Sequence, residues 1–133
     1  NDKGFLSKEI TVRDMLVHHG DIHHIFPRDY LKKQGLTQAK YNQIANYVYL
    51  QQEVNIKIGA KAPIEYINDV FAQCETGKPV YGAITDKSQL IENLKTSCLP
   101  VDIENYNYAN YESFLADRRI LMAKKIKQYY ESL

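Results

Sequence analysis

Apolar positions along the chain recur at helical spacing through most of its length and alternate in only two short stretches. NYVYL at 46–50 alternates aliphatic and aromatic residues, the pattern of a half-buried strand. DIHHIF, ending at Pro27, predicts a second short strand that stops where the backbone donor is lost. Helices are predicted around these two. TVRD reads as a capping box with Thr11 as N-cap and Asp14 reaching back, opening a helix through MLVHH that stops at Gly20. RDYLKKQG predicts about two helical turns closed by Gly35, and QQEVNIKIG a short helix ending at Gly59. APIEYINDVFAQC places Pro63 at a helix start with Ile64, Ile67, Val70 and Phe71 on one face. TGKPVYG (76–82) reads as a loop, and DKSQLIENLK as a helix with Leu90, Ile91 and Leu94 inward, its connection ended by Pro100. The longest helix is predicted from about Asn110 to Leu133, packing Tyr111, Leu115, Met122, Ile126, Tyr129 and Leu133 inward. The expected class is α+β, predominantly helical, with a lone two-stranded element that helices or a metal must support.

The composition, 44% hydrophobic and 25% charged over 133 residues, suits one domain with one core. No apolar run approaches the twenty or so residues of a membrane span, and no leader pattern opens the chain. The first residue is Asn rather than Met, so the expectation is a fragment of a longer chain, with residues 1–133 forming a single domain. Cys74 and Cys98 lack metal-ligand spacing and are too few for a disulfide framework, which suggests a reducing cytoplasm and two small buried residues. The net charge of +1 is unevenly spread. Residues 28–61 carry six bases against two acids and residues 62–112 three against eight, so one face is expected to suit a polyanion.

Within the first 24 residues lie all four histidines: His18, His19, His23 and His24. His18 and His19 suit a helix end, where positive charge complements the dipole. His23 and His24 lie on the predicted strand before Ile-Phe-Pro; a second strand opened by Asn46 and a helix carrying Asn55 follow. Such an order brings an imidazole base and a hard oxygen ligand against one phosphate, where a base and a metal together meet the needs of phosphodiester hydrolysis.

DIHHIFP, ANYVYL and NIKIGAKAP resemble, in that order, the three pieces of the HNH (His-Me finger, ββα-metal) nuclease motif. The match is closest to the C-terminal nuclease domain of GmrSD-type restriction endonucleases; PIEYI and YESFLADRRILMAKKI are similar to that family's tail, so the resemblance covers about residues 20–130. It implies a ββα motif over about 20–60 with a helical remainder over about 61–133. The implied activity is metal-dependent DNA endonuclease, within a cytoplasmic phage-defence protein that also carries an N-terminal ParB-like nucleotide-hydrolysing domain. By the resemblance, His24 is the general base and His23 a metal ligand where many relatives have Asp. Asn55 is the second ligand, and Asn46, of the catalytic motif, braces the loop through hydrogen bonds. Arg28, Lys57 and Lys61 are candidates for DNA-backbone contacts by charge and proximity only, with solvated surface as the alternative. The implied cofactor is one divalent ion, Mg²⁺ or Mn²⁺, with Ni²⁺, Co²⁺ or Zn²⁺ admitted. With His23 replacing a carboxylate, Mn²⁺, Ni²⁺ or Co²⁺ is expected to serve at least as well as Mg²⁺ unless Asp21 supplies the missing carboxylate. Arg118, Arg119, Lys124 and Lys125 read as a partly solvated helix face, Arg118 pairing an acid of the middle segment, or as a second DNA-backbone track. Two rivals stand beside this reading. One is a structural Zn²⁺ module built on His18 or His19 with His23; the other is a non-catalytic helical docking domain.

Overall fold

The computed structural model describes residues 2–17 and 21–133, with the side chains of 15–17 and 21 outside the description. His18 and His19, and the expected helix stop at Gly20, therefore lie outside the described residues, as does the side chain of Asp21. Helix makes up 59% of the described residues, and the sheet has two antiparallel strands, so the class is α+β and mostly helical. Helix α1 (Val12–Val17) opens on the expected capping box: Thr11 N–H donates to the Asp14 carboxylate and Asp14 N–H to Thr11 Oγ1, both at 3.1 Å. Strand β1 (Asp21–His24) pairs with β2 (Tyr47–Leu50) in the register Ile22↔Tyr49, His23↔Val48 and His24↔Tyr47. β1 ends at His24 rather than running to Pro27, because Ile25 and Phe26 turn away into the core, where each is buried.

Between the strands lie α2 (Arg28–Lys33), closed by Gly35 at φ +88°, and the short α3 (Gln38–Tyr41), which the hydrophobic pattern did not predict. A 3-10 turn over Ile44–Asn46 feeds β2. Helix α4 (Gln52–Ile58) stops at Gly59, and α5 (Pro63–Thr76) begins on its proline and ends at left-handed Gly77. Next come α6 (Lys87–Thr96), capped by the Asp86 carboxylate, and α7 (Tyr111–Glu131).

The faces differ from expectation at several points. On α5 the buried side runs through Tyr66, Ile67, Val70 and Gln73, leaving Ile64 45% exposed. Ile91 is only half-buried beside buried Leu90 and Leu94. On α7 Tyr111, Phe114, Leu115 and Arg118 are buried, but Ile126, Tyr129 and Leu133 are exposed, because the last turns extend past the elements that cover the first two. Cys74 and Cys98 are half-buried thiols.

Two long-range fastenings set where the hairpin sits. Phe26 stacks on Phe114 (centroids 4.7 Å apart, 13° between planes), tying the segment after the histidines to α7. Arg118 is not on a solvated face: it is 5% exposed, and its guanidinium donates to the carbonyls of Ala45 (2.9 Å), Tyr47 (2.5 Å) and Ser97 (3.0 Å). Buried carbonyls at the start of β2 and the end of α6 need donors, and a planar fork satisfies several at once. No carboxylate pairs with it among the described residues, and burial pulls its pKa down to about 10.

The first ten residues, for which the pattern predicted nothing, supply core as well. Phe5 and Leu6 are buried, and Phe5 N–H donates to Tyr49 O (2.9 Å). Asn93, buried on α6, accepts from Leu6 N–H (2.8 Å) and donates to Gly4 O (3.0 Å).

Candidate active site

A shallow cleft of about 320 Å³ lies beside the end of β1 and the N-terminus of α2. His23, His24, Arg28, Asp29 and Asn55 all line it. Four of the residues singled out in the sequence therefore share one surface, although they come from three elements.

His24 is held on three sides. Its Nε2 lies 2.8 Å from Asn42 Oδ1, and its ring meets those of Tyr47 (centroids 5.1 Å apart, 85°) and Tyr41 (6.2 Å, 65°) edge to face. An amide oxygen only accepts, so this contact puts the ring proton on Nε2 and leaves Nδ1 as the basic nitrogen. Asn42, just past the end of α3, was not anticipated, and nothing in the hydrophobic pattern singles it out.

The backbone that aims His24 is clamped immediately after it. Asn46 is fully buried: Oδ1 accepts from Phe26 N–H (2.9 Å), and Nδ2 donates to the carbonyls of Phe26 and Tyr41 (3.1 Å each). Its own carbonyl accepts from Ile25 N–H at 2.8 Å. The Ile25 carbonyl in turn accepts from the Tyr66 hydroxyl (2.6 Å), whose burial pushes its pKa far up. Residues 25 and 26 thus have every backbone polar group engaged, three of them by one asparagine. Asn46 acts below the cleft surface and does not line it. Tyr66 was legible only as a tyrosine on an apolar helix face, where a buried hydroxyl needs a partner.

Asn55 is half-buried on α4, and its side-chain amide makes no hydrogen bond among the described residues. Asparagine is a weak helix former, and here its amide repays nothing to the fold. Arg28 and Asp29, 63% and 65% exposed at their side chains, form a loose pair at 3.7 Å, of the kind worth little in water and readily exchanged for a ligand.

Lys57 and Lys61 are not brought into the cleft. Lys57 Nζ donates to Val80 O (2.7 Å) and Lys61 Nζ to the Tyr81 hydroxyl (2.6 Å). Tyr81, and behind it Asp69, hold the Lys61 ammonium above its usual pKa. Lys57 straps α4, and Lys61 the connection after it, to the 77–84 loop, which buried Gln73 also organises by accepting from Val80 and Tyr81 N–H (2.8 Å each).

His23 and Asn55 offer an imidazole and an amide carbonyl, donors that suit a divalent ion, and Asp29 adds a carboxylate to the same cleft. Among the described residues, no group of three His, Cys, Asp or Glu side chains converges on one point. No described helix is long and apolar enough to cross a membrane. No family model matches the chain, and comparison with curated proteins and with solved structures finds no significant match.

Proposed function

We propose that the chain is a metal-dependent DNA endonuclease domain of the HNH (His-Me finger, ββα-metal) type. The observation that carries the reading is the cleft itself, in which a hairpin strand's His23 and His24 and the following helix's uncommitted Asn55 line one surface. In this reading β1, β2 and α4 are the ββα motif.

His24 Nδ1, the nitrogen left basic by Asn42, takes the proton of an attacking water, whose oxygen forms the new bond to phosphorus as the ester bond breaks. Arg28 orients a non-bridging phosphate oxygen, giving up its loose contact with Asp29. His23 and Asn55, with Asp29 within the same cleft, would hold a divalent ion, which would supply neutralisation of charge on the phosphoryl and leaving oxygens. Asn46 and Tyr66 position His24 through the backbone. The resemblance extends the proposal to a modification-dependent, phage-restricting protein, with target recognition in a ParB-like partner domain.

The test is nicking of supercoiled plasmid by the purified protein and its His24→Ala variant in Mn²⁺, in Mg²⁺ and in EDTA, with circular dichroism to establish that both are folded. Wild type is expected to nick in metal only, and the variant not at all. Full activity in His24→Ala, activity that survives EDTA, or no cleavage by wild type with either metal counts against the reading.

A further inference from the structure

Along the hairpin from the cleft lies a larger cavity of about 420 Å³, within the range of small-molecule sites (roughly 300–1,000 Å³). Its wall is aromatic and aliphatic, with Tyr47, Tyr49, Ile44 and Met122 prominent. Charge is distributed one way: Arg118, Lys3 and Lys125 face a single carboxylate, Asp2, which pairs with Lys125. Arg118 meets only carbonyls, and its Nε has no hydrogen-bond partner among the described residues. Around the mouth, Ile44 and Ile22 are 74% and 57% exposed. A flat apolar wall with surplus positive charge complements a ligand that joins an aromatic ring to an anion.

The cavity also adjoins the candidate active site. Ile22 lines both depressions, and Tyr47 contributes to the cavity while its ring meets that of His24. We propose that this cavity is a nucleotide subsite, in which an unstacked base packs on Tyr47 and Tyr49 while its phosphate meets the lysine rim. The cavity's chemistry stands without the nuclease reading; that reading bears only on the source, since a strand with its phosphate in the cleft would place a neighbouring base here. A free nucleotide is the other source.

The chain has two methionines, Met15 and Met122, so ¹³C-methyl labelling gives a simple probe, with Met122→Leu assigning the signal. Thymidine 5′-monophosphate and a short oligothymidylate are titrated in EDTA, where no cleavage intervenes, beside inorganic phosphate and abasic deoxyribose 5-phosphate. The Met122 methyl is expected to shift saturably with the nucleotide and to stay put with the two base-free phosphates. A shift with the oligonucleotide as well assigns the subsite to a bound strand; a shift with the mononucleotide alone assigns it to free nucleotide. Tyr49→Ala should weaken binding roughly five- to a hundredfold, the range for losing one base–aromatic stack. Ile44→Asp alters only an exposed rim residue and should weaken it too by repelling the phosphate. An unmoved methyl with both nucleotide ligands, or an equal shift with inorganic phosphate, overturns the proposal. A shift in a protein that never nicks plasmid would retain the subsite and sink the nuclease reading.

Discussion

Replacing Asn46 with alanine removes three hydrogen bonds at a fully buried site and leaves three main-chain groups behind. Phe26 N–H loses its acceptor, and the carbonyls of Phe26 and Tyr41 lose their donor. An unsatisfied buried polar group costs about 1–3 kcal/mol, with carbonyls toward the lower end because they have a second lone pair. Taking about 2 kcal/mol for the N–H and about 1 for each carbonyl gives a destabilisation near 4 kcal/mol. That is a large part of the roughly 5–15 kcal/mol that holds a domain of this size together. In urea, with a slope near 2 kcal/mol per molar, the midpoint should fall by about 2 M with the slope unchanged. Asn46→Asp should not rescue, since a second carboxylate oxygen would face two carbonyl oxygens at 3.1 Å. A loss below about 1 kcal/mol would show that the clamp after His24 is not built as described.

Asn55→Ala should behave in the opposite way: stability unchanged or raised by a few tenths of a kcal/mol, because alanine is the better helix former, while metal-supported plasmid nicking is lost. Retained nicking would remove Asn55 from the site. Gly82, at φ +72°, would place a Cβ 2.4 Å from Leu6 O, so Gly82→Ala should lower the urea midpoint by an amount worth about 2 kcal/mol or more; an unchanged midpoint refutes the close approach. Stability should also fall with rising alkalinity. Tyr106 is pushed up to about 12 by its bond to Asp117, and burial holds Tyr66 and Tyr111 higher still, so the folded chain keeps phenol protons that the unfolded chain sheds above about pH 10. The contribution is complete below about pH 10 and declines above it, with the lowered Arg118 opposing by a single proton. Urea midpoints that hold level or climb between about pH 9 and pH 11 would contradict this.

Much of the hairpin-and-helix frame was legible because its boundaries are local. Pro63 opens a helix that Gly77 closes, Gly35 and Gly59 close two others, and Thr11 with Asp14 makes its own cap. His23, His24 and Asn55 could be singled out because their order along the chain is itself a pattern. What escaped depends on residues far apart in sequence. Arg118 looks like any helix-face arginine until the carbonyls of Ala45, Tyr47 and Ser97 are brought to it. Phe5 and Leu6 sit in an aperiodic stretch and are core only because Asn93 and β2 receive them. Ile126 and Tyr129 keep the helical spacing of buried residues, but spacing does not reveal that the covering elements run out. Lys57 and Lys61 carry the charge expected of phosphate ligands, while the loop they hold lies some twenty residues downstream.

Arg118 also governs the order in which the protein can be made. A ribosome delivers β1, β2 and α4 long before α7, yet the carbonyls of Ala45 and Tyr47 wait 73 and 71 residues for their donor. Leu6 N–H waits 87 residues for Asn93. Closing loops of that length costs entropy that only the late contacts return, and a two-stranded hairpin alone is marginal in water. A nascent chain ending before residue 118 therefore holds both histidines on an unfastened hairpin, and the cleft is completed only when the last helix arrives.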